Sequence, residues 1–203
     1  IRDTLMGRLS LDRGEVLLEE TGIPPAVFRD IRKAVIIACG TSAHAGAIGK
    51  YLLESLAGIP ADVEYASEYR YRDFILDKDA LVVVISQSGE TADTLAALRA
   101  AKGRAAATLA ITNAVSSSIA REAGGVLYTH AGPEIGVAAT KTFTAQMTAL
   151  ALLALGISQA RNAARPEDRL AVIEELQRLP HKIGVVLNRV EPLEELAQRF
   201  MAF

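Results

Sequence analysis

Between residue 34 and about residue 157, short apolar, β-branched runs alternate with segments of helical period. The runs occupy 34–38, 61–64, 81–85, 108–111 and 126–128. They are apolar at consecutive rather than alternate positions, the pattern of strands buried on both faces, and the helices between them predict a five-stranded parallel sheet covered on both sides. The longest apolar stretch, 147–157 with Thr148 inside it, is too short to cross a bilayer core of roughly 30 Å and predicts a buried core helix. Residues 1–33 are charged and helical in period, and Gly22 followed by Pro24 and Pro25 divides them into two short helices and a turn. Beyond residue 157 the strands stop. Pro166, Pro180 and Pro192 divide the remainder into three helical segments rich in Leu, Glu and Arg. The expected organisation is a helical lead-in (1–33), an α/β unit (34–157) and a helical segment (158–203).

Composition narrows the possible partners. Aromatic residues make up 5% of the 203 residues and Trp is absent, so the core is built from Ala, Leu, Val and Ile. With 22 basic against 24 acidic residues and no basic cluster, there is no electrostatic footprint for nucleic acid or an acidic membrane. One cysteine, Cys39, forms neither an internal disulfide nor a thiolate metal cluster, and the expected compartment is the reducing cytoplasm. The first residues lack the charged and apolar regions of a signal peptide. Ile1 in place of Met, and an uncapped apolar end at Phe203, read as the ends of a piece of something longer.

In an open parallel sheet, ligands bind beyond the carboxyl ends of the strands, where the strand order reverses. After the first strand the chain reads Cys39-Gly40-Thr41-Ser42, followed by a helix of small residues over 43–56. After the third it reads Ser86-Gln87-Ser88-Gly89-Glu90-Thr91, followed by a helix from Ala92 to about Lys102. In the order 2-1-3-4-5 both loops open into one crevice, where Thr41, Ser42, Ser86, Ser88 and Thr91 bring five hydroxyls together. Hydroxyls and amides at helix N-termini suit a phosphate dianion, since they donate hydrogen bonds where the helix dipole favours negative charge. Gly40 and Gly89 remove side chains where the backbone approaches the ligand. Neither a nucleotide P-loop nor a dinucleotide fingerprint is present, so a sugar phosphate fits better than ATP or NAD. Ser and Thr also cap helices, and Thr41 and Ser42 alone read that way. The hydroxyl density of 86–91 exceeds what one cap needs.

These two loops, together with Glu134-Ile135-Gly136-Val137-Ala138 and Thr140-Lys141, resemble the first sugar isomerase (SIS) subdomain of the glutamine:fructose-6-phosphate amidotransferase family. Ser55-Leu56-Ala57-Gly58-Ile59-Pro60 and the segment 66–72 are similar to the same family around the second strand. The resemblance covers about 34–157 and implies a flavodoxin-like, three-layer αβα fold. It implies that Ser42, Ser86, Gln87, Ser88 and Thr91 hold the phosphate of a hexose 6-phosphate, with Cys39, Gly40, Thr41 and Val137 around the sugar. It implies conversion of fructose 6-phosphate and glutamine to glucosamine 6-phosphate and glutamate, with no cofactor. The base Glu, the ring-opening His and a Lys would come from a second SIS subdomain, and ammonia from a glutaminase half, both outside this chain. A fragment of this kind is expected to bind hexose phosphate weakly and turn over nothing. One departure is Ala139, where the family often has Ser, so a hydrogen bond from that side chain to the sugar is lost here.

The serine loop alone marks the wider SIS superfamily and leaves two other readings. One is a sugar-phosphate-sensing module fused to a DNA-binding region, for which 1–33 carry too little positive charge. The other is a stand-alone phosphosugar isomerase. Among single residues, Cys39 reads as a small strand-end hydrophobe more than a thiolate nucleophile. His44 reads as a helix-surface histidine, and His130 and His181 lack metal-like spacing, so no metal site is expected. Glu90 would complement the dipole of the helix after strand three. Glu134 is the weak catalytic candidate, and Lys141 would contact it or a substrate. The apolar segments 147–155 and 193–203 carry more hydrophobic surface than a half-domain covers, so a homo-oligomer is expected.

Overall fold

The computed structural model describes residues 1–189 and 191–201, without the side chain of Glu191. Ala202 and Phe203, part of the apolar end noted above, lie outside the described residues. In chain order the elements are α1 (Arg2–Leu5), β1 (Leu9–Ser10), β2 (Glu15–Val16), a 3-10 turn (Glu19–Thr21), α2 (Pro25–Asp30), β3 (Lys33–Ala38), α3 (Gly40–Leu52) running into a π-helical turn (Leu53–Ala57), β4 (Ala61–Tyr65), α4 (Ala66–Tyr69) and β5 (Ala80–Ser86). There follow α5 (Ala92–Ala101), β6 (Ala107–Thr112), α6 (Ser118–Glu122), β7 (Gly125–Tyr128), α7 (Lys141–Arg161), α8 (Pro166–Leu187) and α9 (Glu191–Phe200). The main sheet is parallel with the order β4-β3-β5-β6-β7, which is the expected 2-1-3-4-5.

Alternation within the central strands divides the core into two. Ile36, Leu81, Val83, Leu109 and Ile111 face the layer that contains α2, α3 and α7, while Val35, Ile37, Val82, Val84 and Ala110 face the layer that contains α4, α5 and α6. Every residue of β5 is buried, as a strand covered on both faces requires. The apolar stretch 147–157 lies in α7, whose 21 residues exceed the stretch itself. By length and hydropathy α7 could span a membrane, but 72% of its most apolar window is buried inside the protein, against α2, α3 and the π-helical turn. The expected surplus of apolar surface at 147–155 is therefore consumed by the protein's own core. Leu193 and Leu196 of α9, by contrast, are exposed.

Two expectations need correction. Residues 1–33 do contain two short helices, but β1 and β2 form an antiparallel hairpin between them, with Leu9 opposite Val16. The Asp12-Arg13-Gly14 turn, with Gly14 at φ +61°, permits this reversal, and the Gln159 side chain of α7 accepts from Val16 N at 2.9 Å. Pro180 does not divide the C-terminal segment: α8 runs through it. A helix-interior proline removes one backbone hydrogen bond and usually bends or ends a helix. Here the largely exposed helix continues, and Glu175 forms ion pairs across the proline to Lys182 and on its near side to Arg178. Pro166 and Pro192 behave as expected and sit in the first turns of α8 and α9.

Glycines allow the closest contacts around the sheet. A Cβ on Gly125 of β7 would lie 2.4 Å from the carbonyl oxygen of Thr21 and 2.6 Å from Cγ1 of Ile23. Because the obstacle includes backbone, Gly125→Ala should destabilise the protein by about 1–3 kcal/mol through overpacking. A lowered urea midpoint with an unchanged slope would show it, and an unchanged midpoint would mean that the 3-10 turn yields freely.

Candidate functional site

The crevice is set by the register of two strands. Ala38 of β3 pairs with Ile85 of β5, so the chain leaves both strands at one level, and α3 and α5 begin side by side. Between them lies a hollow of about 230 Å3. Its wall contains every residue assigned to the site from sequence: Cys39, Gly40, Thr41 and Ser42 from the first loop, Ser86, Gln87, Ser88 and Thr91 from the second, and Glu134 and Val137 from the segment after β7. Ile85, Thr94, Gly136 and Ala139 complete it.

The serine loop is held by its own hydroxyls. Ser86, at 3% exposure, accepts from Gly89 N at 3.0 Å and shares a 2.9 Å hydrogen bond with Thr91 Oγ1. Two hydroxyl protons serve this one mutual bond, so one remains free to donate into the crevice whichever way the pair is oriented. Ser88 Oγ accepts from Glu90 N at 3.2 Å, which leaves its proton free as well. The loop carbonyls are also fixed: Gln87 O accepts from Asn113 N at 3.1 Å and Gly89 O from Ile119 N at 3.0 Å. On the other side, Cys39 is the N-cap of α3 with extended backbone, and Gly40 turns the chain at φ +56° with open space where a Cβ would stand. Gly89, at φ +65°, has a different reason: a Cβ there would meet Ser117 Oγ at 2.0 Å. It is the neighbouring loop before α6, rather than a ligand, that excludes a side chain at Gly89.

Both carboxylates singled out from sequence act as helix caps. Glu90 does not sit in the first turn of α5. It precedes the helix, and its Oε1 accepts from Ser118 N at 2.7 Å, at the start of α6. Backbone and side-chain hydrogen bonds from Ser118 hold its pKa below the ordinary value. Glu134 lines the crevice, but its Oε2 accepts from Thr142 N at 3.0 Å, Thr142 Oγ1 at 2.9 Å and Thr140 N at 3.2 Å. The hydrogen bond from the Thr142 backbone is the leading cause of a pKa lowered from 4.5, with Lys141 adding a smaller Coulombic contribution. A general base or acid near neutrality needs the opposite shift. Lys141 itself is exposed and lines another hollow, beside Ile1 and Arg2.

His44 is an exposed residue of α3 outside the crevice wall, and His130 stands beside Tyr128 with ring centroids 6.0 Å apart. Among the described residues, no group of His, Cys, Asp and Glu could hold a metal ion. One residue, which ends the stretch 86–94 that resembles the family, has no role assigned from sequence. Thr94 is fully buried, lines the crevice, and its hydroxyl has no partner. The signal was its spacing, three residues after Thr91 and therefore on the same face of α5.

A parallel sheet in this order, with two helix N-termini meeting at its switch point, defines a doubly wound α/β domain, and the chain belongs to the SIS domain family, which matches residues 27–156. It is similar to the glutamine–fructose-6-phosphate aminotransferase [isomerizing] of Symbiobacterium thermophilum, with 50% identity over 198 residues, 98% of this chain and 32% of that protein. The Methanosarcina acetivorans protein of the same name is 48% identical over 200 residues, with the same shares covered. The chain thus spans about a third of the length of the curated relatives it matches. The solved C-terminal domain of glucosamine-fructose-6-phosphate aminotransferase from Francisella tularensis is similar at a TM-score of 0.90 and 38% identity, over 98% of this chain and 55% of that one.

The capping role of Glu134 has a measurable consequence. Its folded-state pKa lies below the unfolded one, so its contribution to stability is full above the ordinary carboxylate range and is lost as pH falls through the lowered folded value. Glu134→Gln should therefore melt below the parent at pH 7, and the gap should close as pH falls below 4.5 and through the lowered folded value. A gap that does not change with pH would remove the charged cap from the account.

Proposed function

We propose that this chain is the hexose-phosphate-binding part of the isomerase region of a cytoplasmic, homo-oligomeric glutamine–fructose-6-phosphate aminotransferase. The observation that carries the proposal is a crevice whose wall holds six hydroxyl residues at two helix N-termini and, among the described residues, no Lys or Arg. A phosphate there accepts from Ser88, from the Ser86–Thr91 pair, from Ser42 and from the Gln87 side chain. Amides at the starts of α3 and α5 add the positive ends of two helix dipoles. Cys39, Gly40, Thr41 and Val137 then border the sugar. Relatives at about half identity along nearly the whole chain support this particular enzyme over a sensor or a stand-alone isomerase.

Transfer of an amino group to fructose 6-phosphate, with isomerisation to the aldose, needs a base to carry a proton between neighbouring carbons, an acid to open the ring, and ammonia. With Glu134 committed to the start of α7, this chain contributes binding and orientation. The base, the acid and the ammonia belong to a second SIS subdomain and a glutaminase half of the whole enzyme.

Calorimetric titration with glucosamine 6-phosphate should give saturable binding. The double variant Ser86→Ala/Ser88→Ala should lose at least about tenfold in affinity, since each hydrogen bond to a charged group contributes about 1.5–3 kcal/mol. Equal affinity of variant and parent would defeat the cradle assignment. An isomerase assay on the 203-residue chain should show no turnover, and appreciable activity would return Glu134 to a catalytic role.

A further inference from the structure

At the far end of α7 from the crevice the structure contains a second polar cavity. It occupies about 350 Å3 where α7 ends and α8 begins, closed on one side by the π-helical turn. Its walls combine apolar Leu56, Leu155 and Val172 with Ser158, Arg169 and the paired Arg165 and Asp168. Ser158 is wholly buried and its hydroxyl has no partner. Arg169 is 8% exposed: Nη1 donates to the Ala164 carbonyl at 2.8 Å, and Nε has no partner. Among the described residues no carboxylate pairs with Arg169, because the adjacent Asp168 is taken by Arg165 through contacts of 2.8 and 3.0 Å. A buried cation without a counter-charge and a buried hydroxyl without a partner are each unfavourable in a folded protein. Here the two share one cavity.

An anion in the cavity would relieve both. Its charge and shape follow from the walls. The wall holds two guanidiniums and one carboxylate; Arg165 and Asp168 pair with each other, which leaves Arg169 as the wall's one charge without a counter-charge among the described residues, so the cavity matches one negative charge rather than two. Leu56, Leu155, Ala163, Ala164 and Val172 make the rest of the wall mostly aliphatic. We propose that this cavity binds a small aliphatic monocarboxylate, with Arg169 Nε and Ser158 Oγ donating to the carboxylate and the hydrocarbon tail lying on Leu56, Leu155 and Val172. Leu155 and Ser158 lie four to five turns along α7 from its start at Lys141, which at about 1.5 Å per residue separates this site from the crevice by roughly 20–25 Å.

The test is a titration of the 203-residue chain with sodium butyrate, read by calorimetry and by thermal unfolding, with sodium chloride at equal ionic strength as the reference. Butyrate should bind saturably and raise the Tm as a ligand of the native state does. Ser158→Ala removes a hydroxyl that bonds to nothing in the protein, so this variant should melt no lower than the parent without butyrate, yet bind butyrate about tenfold or more weakly. Arg169→Gln should abolish saturation. The Ser86→Ala/Ser88→Ala variant should keep the parent's butyrate affinity, which separates this site from the crevice. The proposal is overturned if the parent shows no saturable response, if Ser158→Ala binds as the parent does, if the crevice variant loses butyrate, or if inorganic phosphate binds the cavity as well as butyrate does.

Discussion

Because β3 and β5 are parallel neighbours in register, with Ala38 opposite Ile85, the chain must leave both strands at the same height and return through helices on opposite faces of the sheet. Everything at the crevice follows from that pairing. The two helices diverge from a common edge, so their first turns cannot cover one another, and the unpaired amides of both open into one space. A shift of one residue in this register would also exchange the buried sets Ile36/Val83 and Val35/Val82 between two differently shaped helical layers. The register is thus specified by the whole core, and the crevice inherits its precision from residues that never touch it.

The serine loop shows how polar groups are afforded at the end of a fully buried strand. Ser86 follows six buried apolar or small residues and is itself nearly inaccessible, a position where an unmatched hydroxyl would be unfavourable. Its bonds to Gly89 N and Thr91 fold the loop back on itself, and Glu90 ties the loop to α6 through Ser118. Gly89 allows the fold-back, since its positive φ and its contact with Ser117 leave no room for a side chain. The free hydroxyl protons are those left over after the loop has satisfied itself. They are therefore oriented before any ligand arrives.

Strands, their order and the crevice were legible from sequence because buried parallel strands are written as unbroken apolar runs, and each run here is bounded by a loop of distinct composition. Loops 39–42 and 86–91 carried the site for the same reason: the residues that shape it are local to the strand ends. What depends on distant partners was not legible. Two-residue strands such as Leu9–Ser10 and Glu15–Val16 are too short to show a period, and the hairpin exists because α7 offers Gln159 to it. The destination of Glu90 depends on α6 standing beside the loop, which no spacing within 86–91 reveals. Pro180 misled because local rules count the lost hydrogen bond and not the helix on either side of it. Thr94 and Arg169 are ordinary helix residues in the sequence, and only burial makes their unpaired atoms significant.

Glu134 stands in a crevice wall that, among the described residues, holds no Lys or Arg to balance it. A carboxylate facing a phosphate would repel it, yet this one accepts three hydrogen bonds from Thr140 and Thr142 at the positive end of a 21-residue helix. Its charge is largely spent on α7, and little of it is projected across the hollow. The same arrangement fixes the segment 134–142 against the start of α7, which places Val137 and Ala139 along the crevice although Val137 is fully exposed and packs on nothing in the core. A helix cap thereby positions a binding wall. If the proposed phosphate cradle is built from hydroxyls and amides, with no mobile cation to be screened, its attraction comes from fixed short-range dipoles, so added salt should weaken it less than it would weaken a lysine-lined site.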